Sequence, residues 1–95
     1  MKKVRIANGA GYAGDRLDAG EILIRNGNID YLTFECLAER TIGLCQRDKM
    51  HDPNLGYSRL SEERLRRTLG PAKEYGVKII SNLGAANPAA AIKLI

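Results

Sequence analysis

Tryptophan is absent from these 95 residues, which hold one phenylalanine, one histidine and two cysteines. Each scarcity closes off a class of function. Proteins that hold single-stranded nucleic acid stack bases on aromatic side chains inside a basic groove. Here aromatics are few, and the 15 basic residues are interleaved with 11 acidic ones, so the net charge of +4 forms no basic patch. The densest group, Arg64, Arg66 and Arg67, follows Glu62 and Glu63 and reads as a mixed, solvated helix face. Nucleic acid is therefore not an expected partner. Two cysteines make no disulfide framework. On one helix, Cys36 and Cys45 would stand about 13 Å apart at ~1.5 Å per residue, whereas a disulfide needs Cα atoms within about 7 Å. Buried packing is expected for both. His51 has no zinc-like spacing to either cysteine, so it reads as a surface residue and no metal site is expected. No apolar run approaches the roughly 20 residues of a membrane span, and Met1-Lys2-Lys3 leads into Val4-Arg5-Ile6 rather than a signal-peptide core. No membrane partner is expected, and the expected location is the cytoplasm.

What the sequence does have is alternation. Val4-Arg5-Ile6-Ala7 reads as a short strand, ended by the glycine-rich run from Asn8 to Gly14. A helix is expected to open near Asp15, with Ala19, Ile22 and Leu23 as its apolar stripe and Gly27 as a left-handed stop. Residues 29–35 read as a second strand, apolar enough to be covered on both faces. A helix over residues 37–49 would turn Leu37, Ala38, Thr41, Ile42 and Cys45 inward, and residues 51–56 carry loop-forming breakers. Ser61 is expected to cap a third helix, with Leu60 and Leu65 as a hydrophobic staple and Leu65, Leu69 and Ala72 as the stripe. Gly70-Pro71 should kink or restart that helix, and Gly76 should close it. Residues 77–81 read as a third strand. Asn87 then caps a last helix that Pro88 opens; it runs to Ile95 without a C-terminal stop, as expected of the N-terminal part of a longer domain.

The predicted architecture is α/β: a Rossmann-like, doubly wound parallel sheet, incomplete at about three βα units, in a single partial domain over residues 1–95. Right-handed crossovers would set every strand-to-helix loop on one edge of the sheet, where ligands bind in such folds.

That edge carries the candidate chemistry. Gly9, Gly11 and Gly14 spell G-x-G-x-x-G after a strand, and Glu35 ends the second strand 21 residues after Gly14. This is the written dinucleotide fingerprint: a tight turn, close approach to a pyrophosphate, and an acid for the ribose. Against it, Asp15 puts negative charge where two phosphates would sit, and Asn8 places an amide at the strand end. The plainer reading is that the glycines only permit a tight turn. The third loop, with Ser81, Asn82, Gly84 and Asn87, repeats the character of the first. Two Asn/Gly loops on one edge would bring main-chain donors together, which suits a carboxylate, phosphate or thioester carbonyl. The plainer alternatives are that Asn82 shapes a turn and Asn87 is a helix cap. Asp15 is a candidate acid/base and Arg16 a candidate anion clamp, though dipole complementarity also accounts for Asp15 and Asp18. Glu35 and Glu39 fall short of a metal site without a nearby histidine.

The run from Val4 through Asn8-Gly9-Ala10-Gly11-Tyr12-Ala13-Gly14 to Asp15-Arg16 resembles the opening of the acyclic terpene utilisation (AtuA) family. Asp30-Tyr31-Leu32, Leu37-Ala38-Glu39, Gly56-Tyr57 and Val77 to Asn82, with Gly84, Asn87 and Pro88, continue the resemblance in the same order. Ala13 stands where the family often has an aromatic, and Leu83-Gly84-Ala85 where a glycine pair is expected. The resemblance implies the N-terminal α/β part of a longer bacterial protein. It also implies breakdown of acyclic terpenes such as citronellol and geraniol, alongside acyl-CoA enzymes. The leading expectation is a small-molecule metabolite, CoA-linked or a carboxylate, bound near Asn8, Gly9, Gly11, Gly14, Asp15, Arg16, Asn82, Gly84 and Asn87. A dinucleotide-binding (NAD or FAD) oxidoreductase domain using Gly9, Gly11, Gly14 and Glu35 is the second. A non-catalytic assembly subunit, whose open sheet edge pairs with a protein partner or a further C-terminal region, is the third. The sequence specifies no cofactor.

Overall fold

The structure, a computed structural model, describes residues 2–95. Three short strands, β1 (Ile6–Asn8), β2 (Tyr31–Phe34) and β3 (Lys78–Ser81), form one parallel sheet in the order β1-β2-β3. Ile6 lies beside Tyr31 and Tyr31 beside Lys78; Asn8 lies beside Thr33 and Thr33 beside Ile80. Four helices complete the chain: α1 (Ala19–Asn26), α2 (Glu39–His51), α3 (Ser61–Tyr75) and α4 (Pro88–Leu94). This is an α/β fold with an incomplete Rossmann-like sheet, as the alternation of patterns predicts.

The strand order decides where the helices go. Successive right-handed crossovers that advance in one direction leave their helices on the same face, and α1 and α3 do pack against each other. Leu32 and Phe34 point into that layer and are buried with Ile24, Leu65, Ala72, Val77, Leu83 and Ala91. Tyr31 and Thr33 point the other way and are half-buried. On that second face Ile6 is 67% exposed and Ile80 58% exposed. Among the described residues β2 is therefore covered on one face only, which corrects the expectation of cover on both. Two-sided cover needs a reversal of strand order, and these three strands have none.

Several local expectations shift for physical reasons. α1 starts at Ala19 rather than near Asp15, because the Asp15 and Asp18 carboxylates are engaged elsewhere in the turn. Its buried positions are Gly20 and Ile24, while Ile22 is exposed. Gly20 turns inward because it lets the helix close on its neighbours: a Cβ there would meet Phe34 Cζ and Thr68 Cγ2, each at 2.9 Å. Gly27 is right-handed at φ −88°, and the left-handed residue is Asn28 at φ +49°. Glycine still suits position 27, where a Cβ would sit 2.6 Å from the Leu23 carbonyl oxygen.

α2 buries one residue, Cys45, and leaves Ile42 exposed; Leu37 and Ala38 precede it. Both cysteines are buried and free. His51 is exposed, at the end of α2 rather than in a loop. In α3 the cap is Leu60, and Ser61 is the first helical residue, its hydroxyl donating to the Leu83 carbonyl at 3.5 Å. Gly70-Pro71 does not end the helix, which continues to Tyr75. Proline there forfeits one backbone bond, to the carbonyl four residues back, and buried Ala72 and Val77 hold the next turn to the core. Gly76, at φ +69°, closes the helix as expected. Asn87 caps α4 as expected, accepting from Ala90 N–H at 3.3 Å, with Pro88 in the first turn.

Candidate functional site

The first strand-to-helix loop is a closed turn held by its own side chains. Gly9 N–H donates to the Thr33 carbonyl at 2.8 Å, and a Cβ on Gly9 would come within 2.8 Å of Phe34 Cε1 and 3.1 Å of Gly20 Cα. That glycine serves close packing. Gly11 N–H donates to Asp15 Oδ2 and Arg16 N–H to Asp15 Oδ1, each at 2.8 Å. The two bonds, Gly11's the stronger influence, hold the Asp15 carboxyl below the usual carboxylate range. Such a carboxylate is a poor proton donor near neutrality. The Arg16 guanidinium grips Asp18 through Nε and Nη2, at 2.6 and 2.8 Å, and that bond lowers the Asp18 pKa.

The loop is pinned from below by a residue that sequence reasoning placed in solvent. Arg64 on α3 is 1% exposed. Its Nη1 donates to the Arg16 carbonyl at 3.1 Å, and its Nη2 to the carbonyls of Ala13 and Asp15 at 3.2 and 3.1 Å. Its guanidinium carbon stands 5.3 Å from the Phe34 ring centroid, in range for a cation–π contact. A signal was present: Ser61, Arg64, Leu65, Thr68 and Ala72 are the buried positions of α3, a helical stripe at i, i+3, i+4, i+7 and i+11. Only two of the five are hydrophobic, so a search for apolar periodicity passes over the rest.

The first and third loops lie on the same rim, on either side of the β2 tip. Glu35 N–H donates to the Ala10 carbonyl at 2.9 Å, and Cys36 N–H donates to Asn82 Oδ1 at 2.8 Å. Asn82 Nδ2 donates to Glu35 Oε2 at 3.0 Å, and Leu37 N–H to Glu35 Oε1 at 2.8 Å. The Asn82 bond, then that of Leu37, lowers the Glu35 pKa. Asn8 Oδ1 accepts from the Thr33 hydroxyl at 3.0 Å. These polar groups brace the strand ends against one another. Gly84 and Asn87 serve the turn into α4: a Cβ on Gly84 would sit 2.9 Å from Pro88 Cα. Asn87 Nδ2 donates to the carbonyls of Pro53 and Leu55 at 3.0 and 2.8 Å.

Of the predicted site residues, Gly14 alone borders a cleft that opens on this rim. That cleft, of about 330 Å³, runs between Tyr12–Gly14 of the first loop, Arg40, Thr41 and Leu44 of α2, and Ser58–Leu60 before α3. Arg59 is fixed by both carboxylate oxygens of Asp48, through Nε at 3.0 Å and Nη2 at 2.9 Å. Cys45 lies at the cleft's wall, where burial pushes its thiol pKa up and keeps it protonated. Among the described residues no group of three or more His, Cys, Asp and Glu side chains is placed to hold a metal ion, and no helix is long and apolar enough to cross a membrane. The arrangement suits binding of a small molecule with an apolar part and an acceptor group.

A parallel three-stranded sheet with helical crossovers, and a cleft opening beside its carboxyl-end loops, defines a Rossmann-like α/β protein. The family model described as "Acyclic terpene utilisation family protein AtuA" matches residues 4–95. The chain belongs to that family. No curated protein and no solved structure matches it.

Proposed function

We propose that this chain takes part in bacterial, cytoplasmic breakdown of acyclic terpenes or related acyl-CoA and carboxylate compounds, holding a small-molecule metabolite at the carboxyl-end rim of its sheet. Family membership supports the pathway, and one structural observation supports the place: the cleft opens directly against the glycine turn, at Tyr12, Ala13 and Gly14. In an open α/β sheet, ligands sit outside the carboxyl ends of the strands. Deleting the gene in its host and scoring growth on citronellol and on succinate tests the pathway. Loss of growth on citronellol alone, restored by the intact gene, is the expected result; equal growth on both sources would overturn it.

The geometry weighs against the dinucleotide reading. A pyrophosphate needs the loop's main-chain donors and the start of a helix, yet Asp15 occupies Gly11 N–H and α1 begins five residues beyond Gly14. Glu35, the intended ribose acid, is held by Asn82 and Leu37.

A specific observation favours the assembly-subunit reading as a companion to the first. The second face of the sheet carries exposed Ile6 and Ile80, and among the described residues each outer strand has one edge with no strand paired to it. Parallel sheets are ordinarily covered on both faces. A protein partner or further family sequence lying on that face would complete the layer. Light scattering after gel filtration checks it: self-association of the chain, relieved by Ile80→Lys, is expected, and a monomer at all concentrations would count against it.

A further inference from the structure

The cleft beside the glycine turn contains two arginines with different circumstances. Arg59 is held in a two-bond pair by Asp48. Arg40 forms no ion pair among the described residues and stands at the cleft's edge. Much of the remaining lining is apolar, with Tyr12, Leu44 and Leu60 prominent. Tyr12 is 61% exposed, an aromatic ring offered to whatever enters.

We propose that this cleft binds a small amphiphile with a single carboxylate, the carboxylate on the Arg40 guanidinium and the apolar body along Tyr12, Leu44 and Leu60. The inference rests on the rim-binding reading above and narrows its ligand to the free acid rather than the CoA thioester. Three observations favour the acid. A planar guanidinium pairs a carboxylate through two parallel bonds, and Arg40 is the cleft's arginine with that capacity unused. The Gly11 and Arg16 N–H groups, main-chain donors of the kind that hold phosphates, already hold Asp15. The volume of about 330 Å³ lies at the low end of ligand pockets, which span roughly 300–1,000 Å³, a size that suits a small acid.

The test uses the full chain, labelled with nitrogen-15, titrated with octanoate, 1-octanol, octanoyl-CoA and inorganic phosphate. Octanoate is expected to shift the amide signals of Tyr12, Gly14 and Leu44 to saturation, with octanol weaker and phosphate without effect. Arg40→Gln should weaken octanoate by about tenfold or more, the scale of a lost charge-assisted bond, and Arg40→Lys by less. Signals outside the cleft should stay in place in both variants, showing that the fold is intact. Octanoate binding that Arg40→Gln leaves unchanged overturns the inference. So does preferential binding of octanoyl-CoA at the cleft, though that result leaves the rim reading standing. No binding of any acyl probe overturns both.

Discussion

The Asp15 carboxylate accepts the Gly11 N–H at 2.8 Å, so the turn that spells a phosphate-binding pattern is filled by an anion of its own. The lowered pKa of Asp15 links this contact to pH. A carboxyl whose folded-state pKa lies below its unfolded value, about 3.9, stabilises the fold above that value and loses its contribution as pH falls through the folded-state pKa. The wild-type chain should therefore have a higher Tm than Asp15→Asn at pH 7. The gap should close as pH drops below about 4, read by circular dichroism melts across the range. A gap that is constant with pH would show that the charge is immaterial.

The same contact predicts how the chain treats nucleotides. With Gly11 and Arg16 N–H engaged by Asp15, NADH fluorescence and flavin absorbance should be unchanged on mixing with the protein. Saturable binding at sub-millimolar concentration would restore the dinucleotide reading.

Arg64 should be among the least replaceable residues. Arg64→Leu removes bonds to three main-chain carbonyls and the contact with Phe34. Hydrogen bonds involving a charged group contribute roughly 1.5–3 kcal/mol each, and they are not additive within one network. An overall loss of at least about 3 kcal/mol is expected in urea unfolding. Arg64→Lys should recover little, because one ammonium lacks the fork that reaches all three oxygens.

Two loop positions make opposite predictions about backbone strain. Ala85 has φ +48°, a left-handed conformation that costs an L-residue about 1–2 kcal/mol. Ala85→Gly should raise Tm by several degrees, since about 1 kcal/mol corresponds to roughly 4–8 °C in a domain of this size. Gly56 has φ +116°, and a Cβ there would meet Lys49 Cβ at 2.9 Å and Asn87 Cβ at 3.1 Å. Gly56→Ala should therefore lower stability by more than about 1 kcal/mol.

Local chemistry made the three strands, the Gly76 stop and the Asn87–Pro88 helix start legible, because each depends on residues within a few positions of one another. The same-rim placement of the two Asn/Gly loops followed from parallel topology alone. Contacts distant in sequence were out of reach. Asn82 reads as a ligand donor until Glu35 and Cys36 are placed beside it, and Arg64 reads as solvated until the first loop is laid over it. The cleft joins the end of the glycine motif, Tyr12 to Gly14, to Arg40, Thr41, Leu44 and Cys45 of α2 and to Ser58–Leu60, and these last two segments carry no motif. Gly20 escapes the pattern for the opposite reason: its role is the absence of a side chain, which no hydrophobic periodicity records.

The buried guanidinium of Arg64 reaches back 48 to 51 positions to fix the carbonyls of Ala13, Asp15 and Arg16. The opening glycine run is consequently not a portable cassette. A peptide cut from it, or a graft of it onto another scaffold, would keep the spelling and lose the conformation, and a relative that matches the spelling without an arginine on the third helix should not be assumed to share the turn.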